Sequence, residues 1–137
     1  MVCDSFKNKV VVVTGAANGI GAAICHRFAR EGARIGLLDM DAKGVQAASD
    51  QLRASGVDAV GIRCDVIDEN ECTSAMKEII GLYGGIDVLE NNAGITQRSA
   101  FVDTQISVYR RVMDVNFFGS LHCTKAAMTS LIERKGS

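Results

Sequence analysis

The sequence predicts an α/β protein, a parallel sheet with helices on both faces, cut down to about four strands. Two observations carry this. Strand-like and helix-like patterns alternate from the start of the chain, which implies repeated βαβ units with right-handed crossovers. The stretch Val10–Gly21, VVVVTGAANGIG, then sets the tone for the rest. Its continuous β-branched run is the mark of a strand buried on both faces, and it leads straight into a glycine turn and a segment with helical period.

Each element has its own justification. The first strand spans about Lys9–Thr14 and the first helix about Gly19–Glu31, with Ile20, Ile24 and Phe28 apolar and Gly32 at the C-terminal cap. Strand two is Arg34–Asp39. Helix two, Ala42–Ala54, turns Val45, Ala48 and Leu52 to one side and is followed by Gly56. Strand three, Ala59–Cys64, alternates Val60, Ile62 and Cys64 with Gly61 and Arg63. Helix three, Glu69–Tyr83, carries a stripe of Cys72, Met76, Ile79, Ile80 and Tyr83 and stops at Gly84-Gly85. Strand four is Ile86–Asn91. After a loop, Gly94–Asp103, one long helix is predicted over about Thr104–Arg134, with Val108, Val112, Val115 and Leu121 on one side. Glu133-Arg134-Lys135-Gly136-Ser137 then ends a helix with charge and a glycine, as if another strand should follow.

Bulk composition narrows the class. At 137 residues the chain is one domain, spanning residues 1–137, and with 47% hydrophobic residues and no low-complexity tract it has material for a core. A net charge of −1 without a basic block argues against nucleic acid as the main partner. No apolar run approaches a membrane span, and MVCDSFKNK lacks the apolar centre of a secretory signal, so a cytoplasmic protein is expected. The five cysteines are scattered without a C-x-x-C pair, which suits reduced thiols acting as small core residues. No metal site is expected, because His26 and His122 stand apart from any cluster with ligand spacing.

The residues that could carry chemistry fall at the ends of strands. A glycine turn between a strand and a helix can hold a phosphate: helix-start amides point outward, the helix dipole favours an anion, and glycine lets the backbone approach closely. Here the spacing is G-x-x-x-G-x-G over Gly15, Gly19 and Gly21. A tight turn that binds nothing is the bland alternative. Asp39 ends strand two, roughly twenty residues downstream, where an acid can accept from ribose hydroxyls and repel a 2′-phosphate, favouring NAD over NADP. Capping of helix two, or a solvated loop acid, competes with that role, since Asp41 lies close by. Asp65-Val66 ends strand three, where Asp65 could accept from an adenine amino group or could cap helix three, a task for which Asp68 also competes. Asn91-Asn92-Ala93-Gly94 ends strand four, as a ligand brace or as a plain Asn/Gly turn.

Taken together, Thr14-Gly15-Ala16-Ala17-Asn18-Gly19-Ile20-Gly21, Asp39, Asp65-Val66, Asn91-Asn92-Ala93-Gly94 and Val115-Asn116 resemble the short-chain dehydrogenase/reductase family, and specifically its N-terminal part. The resemblance implies a Rossmann-type three-layer αβα fold and an NAD-dependent oxidoreductase that transfers hydride between nicotinamide and an alcohol or carbonyl. It implies a cofactor held by Gly15, Asn18, Gly19, Ile20 and Gly21 along the pyrophosphate, with Ile20 on the nicotinamide side. Asp39 would hold the adenosine ribose, Asp65 and Val66 the adenine, and Asn92, Ala93 and Gly94 would pack along the cofactor. By the same resemblance Asn91 ties strand four to Thr14, and Asn116 is the catalytic Asn that bends its helix and anchors a water in a proton relay. The helix over residues 104–134 is the one that builds family dimers, so a homo-oligomer is implied.

The sequence departs from that family in two places. The family's chemistry uses a Tyr activated by a Lys four residues later, and a Ser; a phenol near pKa 10 needs such a cation to work at neutral pH. Tyr83 is followed at that spacing by Asp87 and Tyr109 by Met113, so the catalytic Ser, Tyr and Lys are absent from this chain. Glu90 stands where the family usually has an apolar residue; a carboxylate in a central strand must be paired or raised in pKa, and the alternatives are a place at the open edge of the sheet or a degenerate copy of the family. A non-catalytic NAD-binding form, a sensor or a dimer partner, is therefore the alternative function. A methyltransferase sheet shares the glycine turn and the ribose acid but supplies no reason for N-N-A-G followed by a helical Asn. Strand four is expected to be a long, apolar, exposed edge, and the four-stranded unit to be of low stability alone.

Overall fold

The structure, a computed structural model, describes residues 5–137; Cys3 lies outside the described residues. Its sheet has four parallel strands in the order β3-β2-β1-β4, with β1 Val10–Thr14, β2 Arg34–Asp39, β3 Ala59–Arg63 and β4 Val88–Glu90. The crossovers are α1 Gly19–Arg30, α2 Ala42–Ala54 and α3 Glu69–Tyr83. After β4 come a short 3₁₀ turn, Phe101–Asp103, then α4 Ile106–Met113, a π-helical turn Asp114–Phe118, and α5 Gly119–Arg134. Among the described residues no helix is long and apolar enough to cross a membrane.

The valine run explains the layering. Successive strand side chains point to opposite faces. Val11 and Val13 join Cys25, Ile35, Leu37, Val45 and Leu52 in one core, under α1 and α2. Val10 and Val12 join Leu38, Met76, Ile79, Cys123 and Leu131 in the other, under α3 and α5. Each of the four valines is at most 1% exposed, and each contributes roughly 1.5–3 kcal/mol by leaving water. A continuous apolar strand is thus what a sheet covered on both faces requires.

Three expectations are corrected. The helix over 104–134 is interrupted: the π turn at Asp114–Phe118 inserts an extra residue per turn and shifts the helical phase. The proposed stripe consequently does not hold, for Val115 is buried while Leu121 is exposed, and Cys123, Ala127 and Leu131 face the core instead. Strand four is not a long edge. It is three half-buried residues, and the Leu89 amide donates to the Ser137 carbonyl (2.9 Å) while the Ser137 amide donates to the Asp87 carbonyl (3.0 Å), so the tail already occupies part of the outer side. Glu90 takes the open-edge option, half-buried at the end of that edge strand.

The buried carboxylate of this strand region is Asp87, 4% exposed. It accepts from the Val10 amide at 2.9 Å and pairs with Lys9 at 3.3 Å and Arg134 at 3.7 Å. These partners offset the desolvation that an isolated carboxylate would suffer.

Candidate functional site

A cavity of about 380 Å³ opens at the carboxyl end of the strands, and every cofactor-side residue singled out in the sequence lines it: Gly15, Asn18, Gly19, Ile20, Gly21, Asp39, Asp65, Val66, Asn92, Ala93 and Gly94. The carboxyl edge of a parallel sheet collects the strand-to-helix turns, so residues far apart in sequence converge there.

The glycine turn has two distinct halves. A Cβ on Gly21 would fall on the Gly15 carbonyl oxygen and 2.6 Å from Asn92 Nδ2, so this glycine lets α1 dock on its own turn and on the strand-four loop. Gly19 differs: its φ is +57° and nothing lies within 4 Å of where its Cβ would be. That backbone faces the cavity bare. Ile20 beside it is 74% exposed although apolar. The first turn of α1 receives no side-chain cap, because Asn18 makes no capping hydrogen bond.

Asn92, not Asn91, ties the strand-four loop to β1. Its Nδ2 donates to the carbonyls of Thr14 (3.0 Å) and Gly15 (3.2 Å). Thr14 Oγ1 accepts the amides of Asn92 (3.1 Å) and Ala93 (3.0 Å) and donates toward the Glu90 carbonyl at 3.4 Å. Asn91 points the other way, its Nδ2 donating to Thr124 Oγ1 on α5 at 3.0 Å. The sheet ends at Glu90, so adjacent side chains leave toward opposite sides.

The acids separate by task. Asp41 and Asp68 are the helix caps: Asp41 accepts from the Gly44 amide at 3.0 Å, and Asp68 from the amides of Asn70 and Glu71. That leaves Asp39 and Asp65 on the cavity wall. Asp39 accepts the amides of Ala17 and Asp41, both at 3.0 Å, which holds its carboxylate against the glycine turn. Asp65 accepts the Ile67 amide at 3.2 Å, while its own amide donates to Glu71 at 2.7 Å. That amide, and then the Arg63 guanidinium, hold the Glu71 carboxyl below its ordinary range. Val66 is buried, and its carbonyl meets His122 Nδ1 at 2.9 Å.

Asn116 lies in the π turn and grips the loop after Gly94. Its Oδ1 accepts the Ile95 amide at 2.8 Å and its Nδ2 donates to the Ile95 carbonyl at 2.9 Å. Its own carbonyl accepts from Ser120 Oγ at 3.2 Å. Neither tyrosine lines the cavity. Tyr83 donates to Asp58 at 3.0 Å, and burial and that acid push its phenol up to about 12. Tyr109 lies against Phe101 with ring centroids 5.7 Å apart.

Sequence reasoning missed four further lining residues, Met40, Cys64, Ile95 and Arg111, and named Val115 only as part of the Val115-Asn116 motif, without placing it on the cavity. Met40, Cys64 and Ile95 adjoin residues already singled out, and that adjacency was a usable signal. Arg111 is one helical turn before Val115, and only the tertiary fold shows that this face looks into the cavity. Among the described residues, no group of three or more His, Cys, Asp or Glu side chains is placed to hold a metal ion.

A parallel sheet with a bare glycine turn, an acid after the second strand and an Asn-rich turn after the fourth defines a dinucleotide-binding α/β class. The chain belongs to the short-chain dehydrogenase family, whose profile matches residues 9–137. It is 38% identical over 135 residues to a dehydrogenase/reductase SDR family member 7B of Bos taurus, covering 94% of this chain and 42% of that protein. It is 39% identical over 131 residues to a meso-2,3-butanediol dehydrogenase of Serratia marcescens, covering 96% and 51%. It is 33% identical over 130 residues to an uncharacterized oxidoreductase of Thermotoga maritima, covering 95% and 51%. The chain thus spans about half the length of these relatives.

Proposed function

We propose that this chain is the cofactor-binding part of an NAD-dependent dehydrogenase/reductase acting on an alcohol or carbonyl. The observation that carries this is the Asp39 carboxylate, fixed by two amides on the wall of the cavity beside the bare backbone of Gly19. A pyrophosphate fits that backbone, since no side chain occupies the approach and the α1 amides lack a cap. Asp39 would accept from the adenosine ribose hydroxyls and disfavour a 2′-phosphate by like charge. Asp65 and Val66 would border the adenine, and Asn92, Ala93 and Gly94 the rest of the cofactor. Nicotinamide, when bound, supplies hydride exchange with an alcohol carbon or a carbonyl. This chain's own part is to bind and orient. Asn116 holds Ile95 through both amide atoms, fixing the loop that borders the substrate side.

Titration calorimetry with NADH and NADPH tests the reading. NADH should bind at least tenfold tighter, a difference of about 1.4 kcal/mol, and Asp39→Asn should narrow that gap. Equal or tighter NADPH binding would overturn it.

A non-catalytic NAD-binding role is the second reading. It is favoured by both tyrosines lying off the cavity, with the phenol of Tyr83 pushed up rather than down. Bound NADH with no turnover of any secondary alcohol would support it. We also place a homo-oligomer contact on the 104–134 segment, where Phe117, Phe118, Leu121, Met128 and Ile132 are exposed. Light scattering that returns a monomer mass at high concentration would remove that contact.

A further inference from the structure

Three thiols converge under the adenine end of the cavity, although their residues are scattered in sequence. Cys123 Sγ on α5 lies 3.6 Å from Cys72 Sγ on α3, and Cys64 Sγ, at the end of β3, lies 4.0 Å from the same sulfur. All three are free and buried. Cys64 also lines the cavity, so the cavity reaches to within one side chain of Cys72. The fourth described cysteine, Cys25, is equally buried but belongs to the opposite core and has no sulfur partner.

We propose that Cys72 and Cys123 form an oxidisable dithiol that joins α3 to α5 beneath the cavity floor, with Cys64 as the thiol on the side from which peroxide arrives. Cys72 is the nucleophile because it is the centre. Hydrogen bonds from Cys123 and Cys64 favour its thiolate and keep the protons on the two outer sulfurs. Two backbone carbonyls oppose this as acceptors for the Cys72 S–H, Val66 at 3.5 Å and Asp65 at 3.9 Å. By contrast burial pushes the lone Cys25 thiol up to about 12.

The chemistry balances. The Cys72 thiolate attacks one peroxide oxygen, the O–O bond breaks, and hydroxide leaves with a sulfenic acid formed on Cys72. The Cys123 sulfur then attacks the sulfenic sulfur; the S–S bond forms, the S–O bond breaks, and water departs. In total two thiols and one hydrogen peroxide become one disulfide and two waters. Closing the bond brings the sulfurs from 3.6 Å to about 2 Å, and the Cys72 sulfur that moves is the one in contact with the Val66 carbonyl on the cavity wall. Formation of the bond does not depend on the nucleotide reading.

The test is peptide mapping of the reduced, folded chain after limited hydrogen peroxide and thiol blocking. The expected product is a Cys72–Cys123 cross-linked peptide that dithiothreitol reverses, formed roughly tenfold or more faster than any modification of Cys25. Absence of that peptide, or bridges to Cys3 and Cys25 at the same rate, would overturn the proposal. Cys123→Ser should redirect the bridge to Cys64–Cys72, and Cys72→Ser should leave no bridge among the three. A Cys64–Cys123 bridge forming at the original rate in Cys72→Ser would show that Cys72 is not the centre. The unsubstituted chain carries the main result, so poor folding of a serine variant does not blunt it.

Discussion

The three crossover helices begin differently. α2 and α3 each open on an aspartate that accepts from the first free amides, Asp41 from Gly44 and Asp68 from Asn70 and Glu71. α1 opens on Asn18, which makes no such bond, behind a glycine whose surroundings are open. The orphan amides of a helix start need an acceptor. At α2 and α3 the chain supplies its own, and those starts stabilise the fold. At α1 the side chain of Asn18 supplies none, and that helix start stands on the wall of the cavity. Aspartates near a strand end can thus be sorted by whether they serve their own helix. Asp41 and Asp68 do, and Asp39 and Asp65 remain on the cavity.

Substitutions can break this contrast. The largest effect is expected at Gly21, which is part of α1 but serves packing. Gly21→Ala drives a methyl into the Gly15 carbonyl and toward Asn92 Nδ2, and should cost about 1–3 kcal/mol in urea unfolding of the nucleotide-free chain. Gly19→Ala should behave otherwise. Its positive φ costs roughly 1–2 kcal/mol, but NADH affinity should fall further than stability does, because the methyl enters the open approach. If calorimetry showed unchanged NADH binding by Gly19→Ala, the idea that α1 reserves its amides for a ligand would fail.

Smaller effects sharpen the same point. Asp41→Ala should lose about 1 kcal/mol as a missing cap, with NADH affinity intact, while Asn18→Ala has no cap to lose and should stay within about 0.5 kcal/mol. The smallest effect concerns Glu71. Its carboxyl is held low by the Asp65 amide and Arg63, so its stabilisation is present above the unfolded value, about pH 4.3, and is lost as pH falls through the folded one. In Glu71→Gln that acid-side slope should flatten in melts followed from pH 6 downward. An unchanged slope would mean that Glu71 does not steady the Asp65 strand end.

Much of the fold was legible in the sequence because it rests on local signals. Valine runs, helix-stopping glycines and capping aspartates act over a few residues, and the bounds of α2 and α3 follow from them. The cavity wall was legible for a related reason: a parallel sheet gathers its turns on one edge, so marking the turns marks the wall. What escaped depends on phase and distance. Choosing between Asn91 and Asn92 required knowing that β4 ends at Glu90. Arg111 reaches the wall only through the packing of α4, and the Cys72–Cys123 contact spans 51 positions. The residues Asp114–Phe118 carry no proline or glycine pair to mark the π turn; its one signal was the resemblance by which Asn116 bends its helix.

That turn is also an indel site in disguise. One residue more than an α-helix needs means that everything after it is rotated by about 100° relative to an unbroken helix. Deleting a single residue between Asp114 and Phe118 would leave a smoother helix and a worse protein. Cys123, Ala127 and Leu131 would swing off the core, and Asn116 would lose its grip on Ile95. The irregular helix is therefore the length that sequence change must preserve here, and a shortened homologue at this point should show a compensating shift in its own apolar positions.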